Sequence, residues 1–189
     1  MSTLITTTAQ IGTIKDAGGN ANAMTISSGG VISQPNNPCF HVGKNADQTL
    51  NDGTVTVITF ESVTDGGESG VIINRGGLFA SNKFTVTSTT TGMYYFYTSL
   101  FVNSSVDASD TYVYFRKNGS QQMQTGYPNL YTSSGAYFST LQVYGLINLS
   151  SASDYVEVVI DCDQAGGNTL LVNYNSGYHR TEFGGYKVG

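Results

Sequence analysis

The sequence predicts an all-β chain: two antiparallel sheets packed as a sandwich, built from roughly eight to ten strands and preceded by an extended N-terminal arm. Three observations carry this. Charged residues make up only 11% of the 189, while 23 Gly, 13 Tyr and many Thr and Ser are present, a balance suited to pleated, half-buried surfaces rather than helices. Short runs of alternating character recur between turn signals from Cys39 onward. No stretch carries a credible helical pattern, and the length suits one substantial core.

Residues 1–38 read as the arm. They are rich in Thr, Ser, Gly, Asn and Ala, with Ile11, Ile14, Met24, Ile26 and Val31 at irregular spacing, too sparse to close a core. No heptad pattern supports a coiled-coil stalk. A polar, glycine-rich arm frays unless a neighbour holds it, which points to docking on partner subunits.

The strand-bearing region, residues 39–189, begins at "CFHVG". "DGTVTVITFESV" alternates Val55 and Val57 against Thr54 and Thr56 after the Asp52-Gly53 turn, then reaches Ile58 and Phe60. "GVIINRGG" is short, and "KFTVTST" sets Phe84 and Val86 on one face. "GMYYFYTSLFV" follows, with Tyr94, Phe96, Thr98 and Leu100 in one row and Met93, Tyr95, Tyr97, Ser99 and Phe101 in the other. Both rows are aromatic or apolar, where a strand of a monomeric sandwich has one wetter face. The second row is therefore either a face between subunits or one covered by loops. "TYVYFRKNGSQQ" places Val113 and Phe115 opposite Tyr112 and Tyr114 and turns at Asn118-Gly119, the strongest short-range hairpin signal. "AYFSTLQVYGLINL" comes next. "DYVEVVIDC" aligns Val156, Val158, Ile160 and Cys162 against Tyr155, Glu157, Val159 and Asp161, and "HRTEFGGYKV" closes the chain.

Composition also excludes functions. The formal net charge is -5 with no Lys or Arg run, so no electrostatic footprint exists for nucleic acid. No stretch approaches the roughly 20 apolar residues of a membrane span, and the N-terminus lacks the blocks of a signal peptide, so production in a cytoplasm is expected. Cys39 and Cys162 fit no metal-ligand spacing and are expected to be buried thiols. Neither His41 nor His179 sits in a nucleophile motif. Asp161 and Asp163 could face the same side, yet acidic residues leaving a strand are usually a solvated end. No enzyme activity, catalytic residue, metal or cofactor is expected. The Asn-x-Ser sequons at Asn103, Asn118 and Asn148 matter only for a secreted, glycosylated chain.

Three stretches in order resemble the globular head of complement component 1q, whose jelly-roll fold is shared with the tumour necrosis factor family. Phe84, Gly92, Tyr94 and Phe96 match an aromatic followed by Gly-x-Tyr-x-Phe. "LINLSSASDYVEVVI" is similar to Leu-x-x-Gly-Asp-x-Val, with Ser153 in the glycine position, and Phe183, Gly185 and Tyr186 match the closing strand. The resemblance covers residues 39–189 and departs in a longer segment between Phe60 and Phe79 and in Thr98, where an aromatic is usual. It implies a three-fold trimer with Tyr97 at the axis and an interface on Tyr95, Tyr97, Phe101, Gln142 and Tyr144.

The N-terminal segment is similar in composition to leading segments of tailed-bacteriophage structural proteins, in which an arm precedes a knob opening with Pro and an aromatic, here Pro38 and Phe40. The resemblance implies a virion protein assembled in the host cytoplasm: a homotrimer docked by its arm to other virion proteins of the capsid or tail, serving as decoration, fibre or host-attachment module. A soluble trimeric cytokine- or lectin-like binding module is the alternative. For a host-surface glycan, "GSQQMQTGYPNLYTSSGAY" reads as a long hairpin loop in which Tyr127, Asn129 and Tyr131 offer stacking faces and an amide.

Overall fold

The computed structural model describes residues 12–15, 18–19, 22–34, 37–44, 46–60, 73–104, 108–130, 137–164, 169–173 and 181–188, and no helix occurs among them. Sixteen strands are present among the described residues. They are β1 (Thr13–Lys15), β2 (Asn22–Ile26), β3 (Ile32–Ser33), β4 (Cys39–Gly43), β5 (Gln48–Asn51), β6 (Thr56–Val57), β7 (Ile73–Arg75) and β8 (Phe79–Ala80), followed by β9 (Lys83–Thr85), β10 (Gly92–Ser104), β11 (Ala108–Lys117), β12 (Ser120–Leu130), β13 (Tyr137–Leu149), β14 (Tyr155–Gln164), β15 (Thr169–Val172) and β16 (Glu182–Lys187). The excess over eight to ten comes from two- to four-residue pieces that alternation over short windows does not reveal.

The chain divides into two compact units, Met1–Asn37 and Pro38–Gly189. Within the first, the segment expected to be merely extended forms an antiparallel sheet in the order β1-β2-β3. Pairing sets Ile14 opposite Met24 and Ile26 opposite Ile32, so apolar residues irregularly spaced in sequence share one face.

The second unit holds two larger antiparallel sheets. One runs β5-β15-β10-β16-β4-β7, with β13 on the other side of β10; the second runs β12-β11-β14-β9-β8, with β6 also on β14. Their inward rows meet in one core. From the first sheet come Phe40, Val42, Tyr94, Phe96, Leu100 and Phe183, and from the second Phe84, Val113, Phe115, Val156, Val158 and Ile160. Rings interlock across it: Phe40 stacks on Phe84 at 4.7 Å between centroids, and Phe115 lies 5.8 Å from Phe183, separations at which aromatic pairs attract beyond their area burial. Gly185 belongs to this packing, because a Cβ there would come within 2.7 Å of the Phe96 ring and 2.8 Å of the Tyr95 carbonyl oxygen. Thr98, a departure from the family pattern noted in the sequence, stands in the buried row, and its hydroxyl donates to the Glu182 carbonyl at 2.7 Å, which satisfies the buried polar group.

Of the strand expected over "DGTVTVITFESV", the described residues form β6 alone, and the last three lie outside the described residues. Beyond Ile58, whose N–H still donates to the Val158 carbonyl at 2.9 Å, side chains take over: the Gln48 carboxamide donates to the Val57 carbonyl and accepts from the Thr59 amide, both at 2.8 Å, and Phe60 N–H donates to Asn82 at 2.9 Å. The Asn118-Gly119 hairpin forms as expected, with φ of 51° and 80°, the left-handed pair a two-residue turn requires. Ser153, in the glycine position of its motif, also adopts positive φ, 72°.

Candidate functional site

The outer face of the first sheet is built by three long-range pairings around β10. On one side β13 sets Tyr97 opposite Tyr144, Tyr95 opposite Leu146 and Ser99 opposite Gln142. On the other, β16 sets Tyr95 opposite Tyr186 and Tyr97 opposite Gly184, and β4 then brings His41 opposite Gly184 and Cys39 opposite Tyr186. Directly opposed residues point to the same side. One face thus carries Met93, Tyr95, Tyr97, Tyr144, Leu146 and Tyr186 together.

Much of this face is open in the single chain. Tyr144 is 64% exposed, Leu146 54% and Tyr186 49%, with Met93 and Val188 also exposed. Tyr95 and Tyr97 are half-buried, and Tyr95 lies 5.5 Å from Tyr186 between ring centroids. Phe101, expected on the same interface, is 9% exposed and largely covered within the chain. Gln142 is exposed. The other exposed members of this face are Tyr and apolar side chains.

Near its centre, Tyr97 crosses over β16. A Cβ at position 184 would overlap the Tyr97 ring, so glycine there opens the notch through which the phenol reaches β4. The Tyr97 hydroxyl lies 2.8 Å from His41 Nδ1, and His41 Nε2 lies 3.6 Å from Glu182 Oε2. Burial first, then the Glu182 charge, pushes the Tyr97 phenol above its ordinary pKa, so it stays protonated as a hydrogen-bond partner. His41 and Glu182 escaped the sequence reading, which placed His41 in no motif. The available signal was the alternation of "CFHVG" and "EFGGYK", which puts each on an outward row.

The other candidates do not gather here. Tyr127 and Asn129 belong to β12 rather than to a loop; pairing of β12 with β11 extends to Leu130, and Pro128 is tolerated because β12 is an edge strand. Tyr131 lies outside the described residues, as does His179. Asp161 and Asp163 face Tyr112 and Asp110 across β11. Burial, then the Asp163 charge, raises the Asp161 carboxyl pKa, but no cluster of three potential metal ligands forms among the described residues. Cys39 is half-buried on the outer face and Cys162 is buried in the core, and neither forms a disulfide. The Asn118 amide donates to Asp154 at 2.8 Å and accepts from the Tyr155 N–H at 3.0 Å.

No protein-family model matches the chain, and no curated protein matches it.

Proposed function

We propose that the chain is a structural knob that associates with copies of itself, as a homotrimeric jelly roll of the complement and tumour necrosis factor type, displayed on a bacteriophage particle. The observation that carries the self-association is the exposed aromatic face on β10, β13 and β16. Its exposed members are Tyr and apolar side chains, which suit a desolvated interface core better than a lone surface in water.

Strand order supports the jelly-roll reading. The order β4-β16-β10-β13 in one sheet and β9-β14-β11-β12 in the other makes the chain cross between sheets from β4 to β9 and again after β9, β10, β12, β13 and β14, the alternation of a double Greek key. A copy seated on this face would bring Tyr97 and Tyr144 into the interface with Tyr95 and Gln142 beside them. The virion role rests on the resemblance of residues 1–38 to phage leading segments, and that arm docks the knob to capsid or tail proteins.

Light scattering on the full chain tests the central claim: three times the mass of one chain is expected. Tyr144→Asp combined with Leu146→Lys should reduce it to one chain mass without changing the far-ultraviolet circular dichroism. A wild-type monomer at all accessible concentrations would overturn the reading.

A further inference from the structure

The strongest chemistry on the aromatic face outside its apolar contacts is the set Tyr97, His41 and Glu182. It comes from three strands and is held by backbone pairing: His41 and Glu182 flank Gly184, the notch residue under the Tyr97 ring. In the single chain the His41 and Glu182 side chains are only 22% and 31% exposed, so water still reaches both. Other described titratable groups on this face are Cys39 on the same strand, Arg75 on β7 opposite Cys39, Tyr186 on β16, and Tyr95 and Tyr144 on β10 and β13. Among these, Glu182 is the carboxylate in ion-pair range of the imidazole.

We infer that His41 makes self-association pH-dependent, its protonated form neutralising Glu182 when a second copy of the chain covers the face. This deepens the self-association reading and rests on it. The balance of charges gives the sign. With neutral His41, closing the interface strips water from a Glu182 carboxylate that has no other cationic partner among the described residues, which is costly. With protonated His41, Nδ1–H donates to the Tyr97 hydroxyl while Nε2 stays in ion-pair range of Glu182 at 3.6 Å, so the covered pair is neutral. Association therefore takes up protons, and a complex that binds protons more tightly than its parts is favoured as pH falls. The face closes more tightly in acid and loosens toward alkaline pH.

Sedimentation equilibrium of the full chain between about pH 5.5 and about pH 8, at constant ionic strength, reads this directly. The expected result is an association constant that rises roughly tenfold per subunit toward acid, with this slope absent in both His41→Gln and Glu182→Gln. A chain that associates with the same constant across the range, or a slope that survives in His41→Gln, overturns the inference and leaves the self-association reading intact. A chain that stays monomeric at every pH overturns both.

Discussion

Gly184 and Gly185 are adjacent, yet they face opposite sides of β16 and do opposite jobs. Under Gly184 lies the far end of the Tyr97 side chain, which can swing outward, whereas a Cβ at Gly185 meets the Phe96 ring, the Tyr95 carbonyl at 2.8 Å and the Phe40 ring at 3.0 Å. Gly184→Ala should therefore leave unfolding free energy within about 0.5 kcal/mol of wild type while displacing Tyr97 from His41 and weakening association. Gly185→Ala has no such escape, because one obstacle is backbone, and should cost about 1–3 kcal/mol in a urea titration. The sequence motif pointed to position 185 and passed over 184. Both are glycine in the same run, and only the ring lying across 184 distinguishes its role.

At the scale of the element, the β11–β12 hairpin shows how a turn is tied into the sheet beside it. Asn118 N–H donates to the Tyr155 carbonyl at 3.2 Å, its amide reaches Asp154, and Asp154 also accepts from the Ser151 N–H at 3.0 Å and pairs with Lys117 at 3.0 Å. The Asn118 hydrogen bond, followed by the Lys117 and Ser151 contacts, outweighs burial and holds the Asp154 carboxyl down at about 2. A carboxyl whose folded-state pKa lies below its unfolded value stabilises the fold above the unfolded pKa and loses that contribution as pH falls through the folded one. Asp154 should thus contribute fully above about pH 4 and progressively less toward about pH 2. Asp154→Asn should flatten that part of the stability–pH curve measured by urea unfolding. The Asn-Gly pair announced this hairpin in the sequence because its geometry is local. The partners Asp154 and Tyr155 lie more than thirty residues away, and nothing in the alternation of β11 foretold them.

For the whole molecule, the described core runs from Phe40 onward within the unit Pro38–Gly189, and Met1–Asn37 forms a unit of its own. A fragment spanning residues 38–189 should accordingly unfold as one cooperative transition and keep the number of chains per oligomer of the full chain. The same truncation should abolish incorporation into particles if the N-terminal unit is the docking element. Fewer chains per oligomer on truncation would instead place part of the association energy in the β1–β3 sheet. That sheet was not legible in the sequence because its apolar residues are brought to one face by pairing register, not by regular spacing.

Alternation along the chain determined the β class, the inward rows of β10, β11 and β14, and the Asn118-Gly119 turn, since each depends on neighbours within a few residues. The candidate surface was legible only in part. Tyr95, Tyr97 and Tyr144 could be assigned to an outward row, but an aromatic row reads the same whether loops cover it or solvent meets it. Tertiary structure decided that β13 and β16 flank β10, that Tyr144, Leu146 and Tyr186 stand open while Phe101 is covered, and that His41, Tyr97 and Glu182 converge over Gly184. The physical reason is that sheet partners are chosen by long-range burial and register, whereas sequence periodicity fixes only which way each side chain points.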